Sequence, residues 1–155
     1  MSYIPLATVT LGGSDADIVF SNIPATFKDL VLVIAGTSDN NTGLYLRFNG
    51  DTGSNYTTVG MYGNGSSAIS YSQTLSFTNT NFISNTQGVN TVQLMDYSAT
   101  DKHKTILGRA SYGNNLAQAA AGRWANTAAI NSITCFLDAG RTFQTGATFS
   151  LYGVA

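Results

Sequence analysis

His103 is the only imidazole in this chain. A serine- or cysteine-based catalytic triad would need it as general base. It sits between Lys102 and Lys104 in a polar stretch, and no Gly-x-Ser-x-Gly elbow occurs anywhere. The carboxylates are Asp15, Asp17, Asp29, Asp39, Asp51, Asp96, Asp101 and Asp138, with no Glu at all. A pair of them could in principle hydrolyse a glycosidic bond, chemistry that β-sandwiches do host. Nearly all lie in turn-like stretches, where Asp side chains bond their own backbone. Nothing in their spacing sets two across a cleft.

Metal chemistry has little to work with. One Cys and one His leave zinc without a ligand set inside the chain. Calcium would want clustered oxygens on a loop, and two stretches offer them: Asp15-Ala16-Asp17 and Asn49-Gly50-Asp51-Thr52-Gly53-Ser54-Asn55. Neither has EF-hand spacing or its closing Glu. Cys135 shares one strand face with Ile133 and Leu137, so it reads as a small buried hydrophobe. No phosphate-cradling Gly-x-x-x-x-Gly-Lys loop is present. The sequons at Asn40, Asn55 and Asn64 are about as frequent as chance would place them. No catalytic residue, metal ligand or cofactor site is therefore expected, and the chain is read as a non-enzyme.

The elements that would position these residues are strands. Charged residues make up 10% of the chain, against about 25% in ordinary soluble domains. The long charged side chains that clothe helices are replaced by Thr, Ser, Asn and Gly. A hydrophobic content of 43% excludes intrinsic disorder on compositional grounds. No apolar run is long enough to cross a bilayer, and a net charge of −1 offers no basic patch for nucleic acid. Met1-Ser2-Tyr3-Ile4-Pro5 has neither the basic nor the apolar region of a secretory signal.

Short strand signals recur between Gly, Asn, Asp and Ser clusters. Ile4 to Leu11 alternates and Asp17 to Phe20 is brief. Leu30 to Ile34 is continuously apolar, so both its faces are expected to be covered, in the sandwich centre or at a subunit contact. Leu44 to Phe48 sends Leu44, Leu46 and Phe48 inward, Tyr45 and Arg47 outward. Asn49-Gly50-Asp51 marks a tight turn. Weaker strands are expected at Thr57 to Tyr62 and Thr74 to Thr78. Thr91 to Tyr97 and Lys104 to Ser111 flank the polar turn 98–103. Ala119 to Trp124 has helix-forming alanines, but Gly122 favours a strand. Ile130 to Asp138 and Phe149 to Val154 come last. About eight to ten short strands predict an all-β, antiparallel β-sandwich of jelly-roll type, a single domain over residues 1–155, with both termini held as strands.

Aromatics are 11% of the residues, and Tyr and Trp on a polar surface serve both protein interfaces and carbohydrate sites. Trp124 with Arg123 has the composition of an interface anchor, with a core Trp as the competing reading. Tyr45 and Arg47 are the next interface candidates.

Several segments resemble small virion proteins of tailed bacteriophages, especially phages of aquatic bacteria and cyanobacteria. They are Tyr3 to Leu11, Ile23 to Leu32, Leu46 to Tyr56, Trp124 to Ile133 and Gly146 to Val154. The stretch from about Tyr62 to Asn90 matches least. The resemblance implies a jelly-roll protein that decorates heads or forms parts of tails and fibres, often as a trimer. It carries no catalytic motif. The expected role is a capsid decoration (cement) protein on the outer surface of the head, a homotrimer whose partners are the major capsid protein or other virion proteins. The alternative is a tail or fibre module that binds host-surface glycans.

Overall fold

The computed structural model describes residues 2–113 and 116–155. It contains β1 (Tyr3–Thr10), β2 (Asp17–Phe20), β3 (Asp29–Gly36), β4 (Thr42–Phe48), β5 (Tyr56–Gly63), β6 (Ala68–Leu75), β7 (Thr78–Ile83), β8 (Gly88–Met95), β9 (Lys104–Tyr112), β10 (Leu116–Trp124), β11 (Ile133–Leu137) and β12 (Thr148–Val154). There is no helix among the described residues. All strand pairs are antiparallel.

Two sheets pack face to face. One has the order β2-β11-β4-β7; the other runs β1-β12-β3-β8-β9-β10-β5-β6. The nested order β1-β12-β3-β8 opposite β2-β11-β4-β7 is that of a jelly roll. The other four strands are two hairpins, β5–β6 and β9–β10, that extend one sheet beyond its partner. The sequence signals at Thr57 to Tyr62, Lys104 to Ser111 and Ala119 to Trp124 correspond to three of these strands, β5, β9 and β10. The sequence reading also merged two elements: where it placed one strand at Thr74 to Thr78, β6 ends and β7 begins, with Ser76 and Phe77 between them.

The apolar core fills the jelly roll proper. Leu30, Leu32 and Ile34 of β3 face Leu44, Leu46 and Phe48 of β4, with Ile133 and Cys135 of β11, and all are fully buried. Each contributes about 1.5–3 kcal/mol for a large aliphatic or aromatic side chain. The outer side of β3 is only partly shielded: Val31 is buried and Val33 half-buried by side chains of neighbouring strands. The first and last strands pair with each other along β1 and β12.

Beneath the extension the interior turns polar. Thr78, Asn79, Thr80 and Asn81 of β7 are all buried against β9, β10 and β5. Thr58 and Thr78 share a hydrogen bond of 3.2 Å, and Gln118 accepts one from the Phe82 amide. The approach is close because the facing strands carry glycine. A Cβ on Gly108 would meet the Thr80 carbonyl oxygen at 2.6 Å, and one on Gly122 the Thr78 hydroxyl at 2.8 Å. Gly122, the residue that argued against a helix here, is what admits β7.

Candidate interaction surfaces

The sequence-derived candidates separate at once. Residues adjacent on a strand point to opposite faces, so Arg123 and Trp124 cannot form one anchor. Arg123 is exposed on the outer face of β10, whereas Trp124 is 0% exposed. The interface reading of Trp124 is corrected to a core role. Its indole stacks on Tyr56 at 6.1 Å and lies 5.5 Å from Phe48. Its Nε1 donates to Asp51 Oδ2 at 2.8 Å.

Asp51 organises the oxygen-rich loop that had been a calcium candidate. The carboxylate also accepts from the Gly53 amide at 2.9 Å, Asn55 Nδ2 at 2.9 Å and Asn126 Nδ2 at 3.4 Å. The Asn55 hydrogen bond, joined against the opposing effect of burial by those from Gly53, Trp124 and Asn126, lowers its pKa to about 2. The carboxylate is thus spoken for by N–H donors, which a cation would have to displace. Asn49 and Gly50 both adopt positive φ (52° and 67°), as the Asn-Gly turn requires. In the other calcium candidate, Asp15 accepts from the Asp17 amide at 3.3 Å, an ordinary Asx turn. Among the described residues no group of three or more His, Cys or Asp residues is placed to hold a metal ion. His103 is exposed in the turn before β9, and Cys135 is fully buried, its thiol pKa pushed up by burial.

Tyr45 and Arg47 do come together, on the outer face of the four-stranded sheet. The Tyr45 ring lies 4.4 Å from Phe77 and 5.6 Å from Phe136, and these two are 5.4 Å apart, edge to face. Arg47 stacks its guanidinium 4.7 Å above Phe136. The Tyr45 hydroxyl donates to Asp138 Oδ1 at 2.7 Å, and Thr42 Oγ1 donates to Oδ2 at 2.8 Å. Burial alone would raise the Asp138 carboxyl; the hydrogen bonds from Tyr45, Thr42 and Gly43, with Arg141 nearby, bring it below the ordinary value. Burial, then the Asp138 carboxylate, raises the Tyr45 phenol. The phenol ring lies across Gly43, where a Cβ would come 2.3 Å from its oxygen. A pocket of about 370 Å³ opens here between Asp17, the three rings, Asp138 and Arg141. Aromatic faces beside a fixed carboxylate can pack against the apolar face of a sugar ring and accept from its hydroxyls. Phe77 and Phe136 were missed in the sequence because neither sits in a motif; outward alternation along β11 was the one signal for Phe136.

The second surface is the outer face of the large sheet, which the small sheet leaves uncovered. Pairing aligns one row across all eight strands: Thr8, Ser150, Val33, Thr91, Arg109, Ala119, Met61 and Ser70. The next row carries Gln93, Leu107, Ala121 and Val59. Val59 and Met61 are 58% and 64% exposed, Val89 and Leu107 49% and 40%. Val59, Met61 and Leu107, with Ala119 and Ala121 between them and Arg109 and Gln93 beside them, line a shallow depression of about 470 Å³. The strands β5, β6, β8, β9 and β10 contain no acidic residue, and their charges are the buried Lys104 and the exposed Arg109 and Arg123. Exposed apolar side chains gathered on one face are a common mark of an interaction surface.

No protein-family model matches the chain, and no curated protein matches it. Among solved structures, the PL-14 alginate lyase from Aplysia kurodai is 11% identical with a TM-score of 0.24, over 84% of this chain and 70% of that one. A family two carbohydrate esterase from Cellvibrio japonicus is 10% identical with a TM-score of 0.22, over 96% of this chain and 35% of the other. An alginate lyase in complex with alginate tetrasaccharide is 7% identical with a TM-score of 0.25, over 89% and 79%. At these scores the likeness carries no argument about what this chain does.

Proposed function

We propose that this chain is a non-enzymatic structural protein of a phage particle, a capsid decoration protein that binds and braces the major capsid lattice. The supporting observation is the open outer face of the large sheet around Val59, Met61, Val89 and Leu107. That face suits burial against a protein. It combines apolar side chains, small residues that permit close approach, and Arg109 and Arg123 for orientation. Affinity comes from apolar burial, and many copies on one lattice add avidity. The test is co-sedimentation with capsids lacking the protein. Wild-type chain should pellet with them, and Met61→Asp with Leu107→Asp should weaken retention at least tenfold while leaving the fold intact. Failure of the wild-type chain to bind such capsids sinks the reading.

A second reading, a tail or fibre module that binds host-surface glycans, has its own support in the Tyr45, Phe77 and Phe136 cluster beside Asp138. Immunogold labelling of intact particles separates the two. Label spread over the head favours decoration; label confined to the tail favours the glycan reading.

A further inference from the structure

We infer that the free edge of β6 is a self-association site, through which a second copy of this chain adds its own β6 to form a continuous sheet. β6 is the last strand of the eight-stranded sheet and, among the described residues, pairs only with β5, in unbroken register from Tyr56–Leu75 to Gly63–Ala68. Its other edge therefore presents a row of unpaired backbone N–H and C=O groups along eight residues. The strand is also exposed on both faces: Ser70, Ser72 and Thr74 outward, Ile69 and Gln73 on the side of the small sheet.

Natural edge strands are blunted by charge, proline, bulges, shortness or a covering element. The other edges here follow that rule. β1 carries Pro5 and a register shift between Pro5 and Ala7. β2 has four residues. β7 is buried, and its pairing with β4 is broken between Leu44 and Tyr45. β6, Ala-Ile-Ser-Tyr-Ser-Gln-Thr-Leu, has no charge, no proline and no bulge.

The occupant that fits is a second copy. An antiparallel two-fold pairing centred on Tyr71 places Ala68 opposite Thr74, Ile69 opposite Gln73 and Ser70 opposite Ser72, so each opposed pair keeps one face and no like charges meet. Tyr71 gives no clash at the axis, because its ring leans back over Gly60 of β5. A second apolar depression of about 690 Å³, bordered by Met61, Ala68, Ile69, Ala117 and Ala119, ends at this edge. The twin copy extends it. A sheet continued edge to edge around a three-fold axis would need a second, different edge, and β1 carries Pro5 and a register shift.

The test is sedimentation equilibrium of the full chain from about 1 to about 200 μM, a span that brackets ordinary weak-to-moderate association. The expected mass is twice the 16.3 kDa of one chain. Ser72→Pro and Gln73→Pro are compared, since neighbouring residues point their N–H groups to opposite edges. The variant that removes an outward N–H should be monomeric with a native circular dichroism spectrum. A spin label at Ser72→Cys should report a neighbour within about 20 Å, given strands about 4.8 Å apart. This second readout stands even if both proline variants unfold. A monomer at every concentration, a trimer, or a dimer whose Ser72 labels lie far apart overturns the inference. A monomer would include the case in which β6 pairs with another protein's strand.

Discussion

Trp124 and Asp51, 73 positions apart, are joined by a hydrogen bond of 2.8 Å from the indole Nε1 to the carboxylate Oδ2. The contact ties the Asn49-Gly50 turn at the end of β4 to the end of β10, and so links the two sheets at one rim of the sandwich. It also explains why the single Trp is a structural residue. Its ring fills the core against Tyr56 and Phe48, and its one polar atom has a partner at the rim.

Replacing Asp51 should destabilise the fold in a pH-dependent way. Its pKa is lowered from an ordinary 3.8 to about 2, so the unfolded chain binds more protons between those values. The stabilisation is complete above about pH 5 and is lost as pH falls toward 2. Asp51→Asn should cost about 1–2 kcal/mol at neutral pH, at the low end for charge-assisted hydrogen bonds because Asp51 is partly open to solvent. It should also flatten the acid limb of a stability–pH curve measured by urea unfolding. An acid limb identical to that of the wild type would place the acid sensitivity elsewhere.

Trp124→Ala should cost about 3–5 kcal/mol through the cavity it leaves. Trp124→Phe retains an aromatic ring and removes one of the three donors to Asp51 Oδ2, leaving those of Asn55 and Asn126, and should lose less, about 1–3 kcal/mol. Thermal unfolding distinguishes the two. In capsid co-sedimentation, folded Trp124→Phe should bind as the wild type does, because residue 124 is not on a surface.

Lys104 is fully buried, and its Nζ donates to the carbonyls of Ala99, Lys102 and Thr127 at 2.6, 2.9 and 3.2 Å. It thereby holds the turn before β9 against the loop after β10. Lys104→Met keeps the aliphatic stem and leaves those carbonyls without the ammonium. A loss of about 1–3 kcal/mol is expected, with faster amide exchange confined to residues 96–103 and 125–130.

Gly108→Ala should push β7 away from the extension, because the new Cβ would meet the Thr80 carbonyl at 2.6 Å. The expected cost is about 1–3 kcal/mol, typical of overpacking. Amide exchange should rise in β7 while β3 and β12 stay protected. Uniform exchange across both sheets would show that β7 does not open on its own.

Tyr45→Phe should raise the Asp138 pKa toward the ordinary carboxylate value, since the phenol donates one of the hydrogen bonds that hold it down. Carbon-detected NMR titration of the Asp138 carboxyl reads this directly. If the pKa does not move, Thr42 and Gly43 are sufficient to set it.

Much of the fold was legible in the residues. The scarcity of charge, the alternation of Leu44 to Phe48 and the Asn49-Gly50 turn describe local preferences that the structure follows; the apolar run of Leu30 to Ile34 forms β3 as expected, but only its inner face is fully covered. β6 and β7 were not legible as two strands. Their residues, Ala68 to Ile83, are mostly polar, and β7 buries Thr80 against Gly108 and Thr78 against Gly122, 28 and 44 positions away, a pattern without apolar alternation. The aromatic cluster escaped for a related reason: Tyr45, Phe77 and Phe136 come from three separate segments.

The sequence by itself determined that the chain is built of strands, which residues of the regular strands face inward, and where the chain turns, because these follow from side-chain type and the two-residue period of a strand. Tertiary structure alone decided that Trp124 is core and Arg123 surface, that Asp51 gathers the N–H groups of Gly53, Asn55, Trp124 and Asn126, and that two hairpins carry one sheet past its partner. Those outcomes depend on which strands become neighbours. Pairing between strands far apart in the chain is settled by how the whole set of apolar faces can be covered at once, and no local pattern encodes that choice.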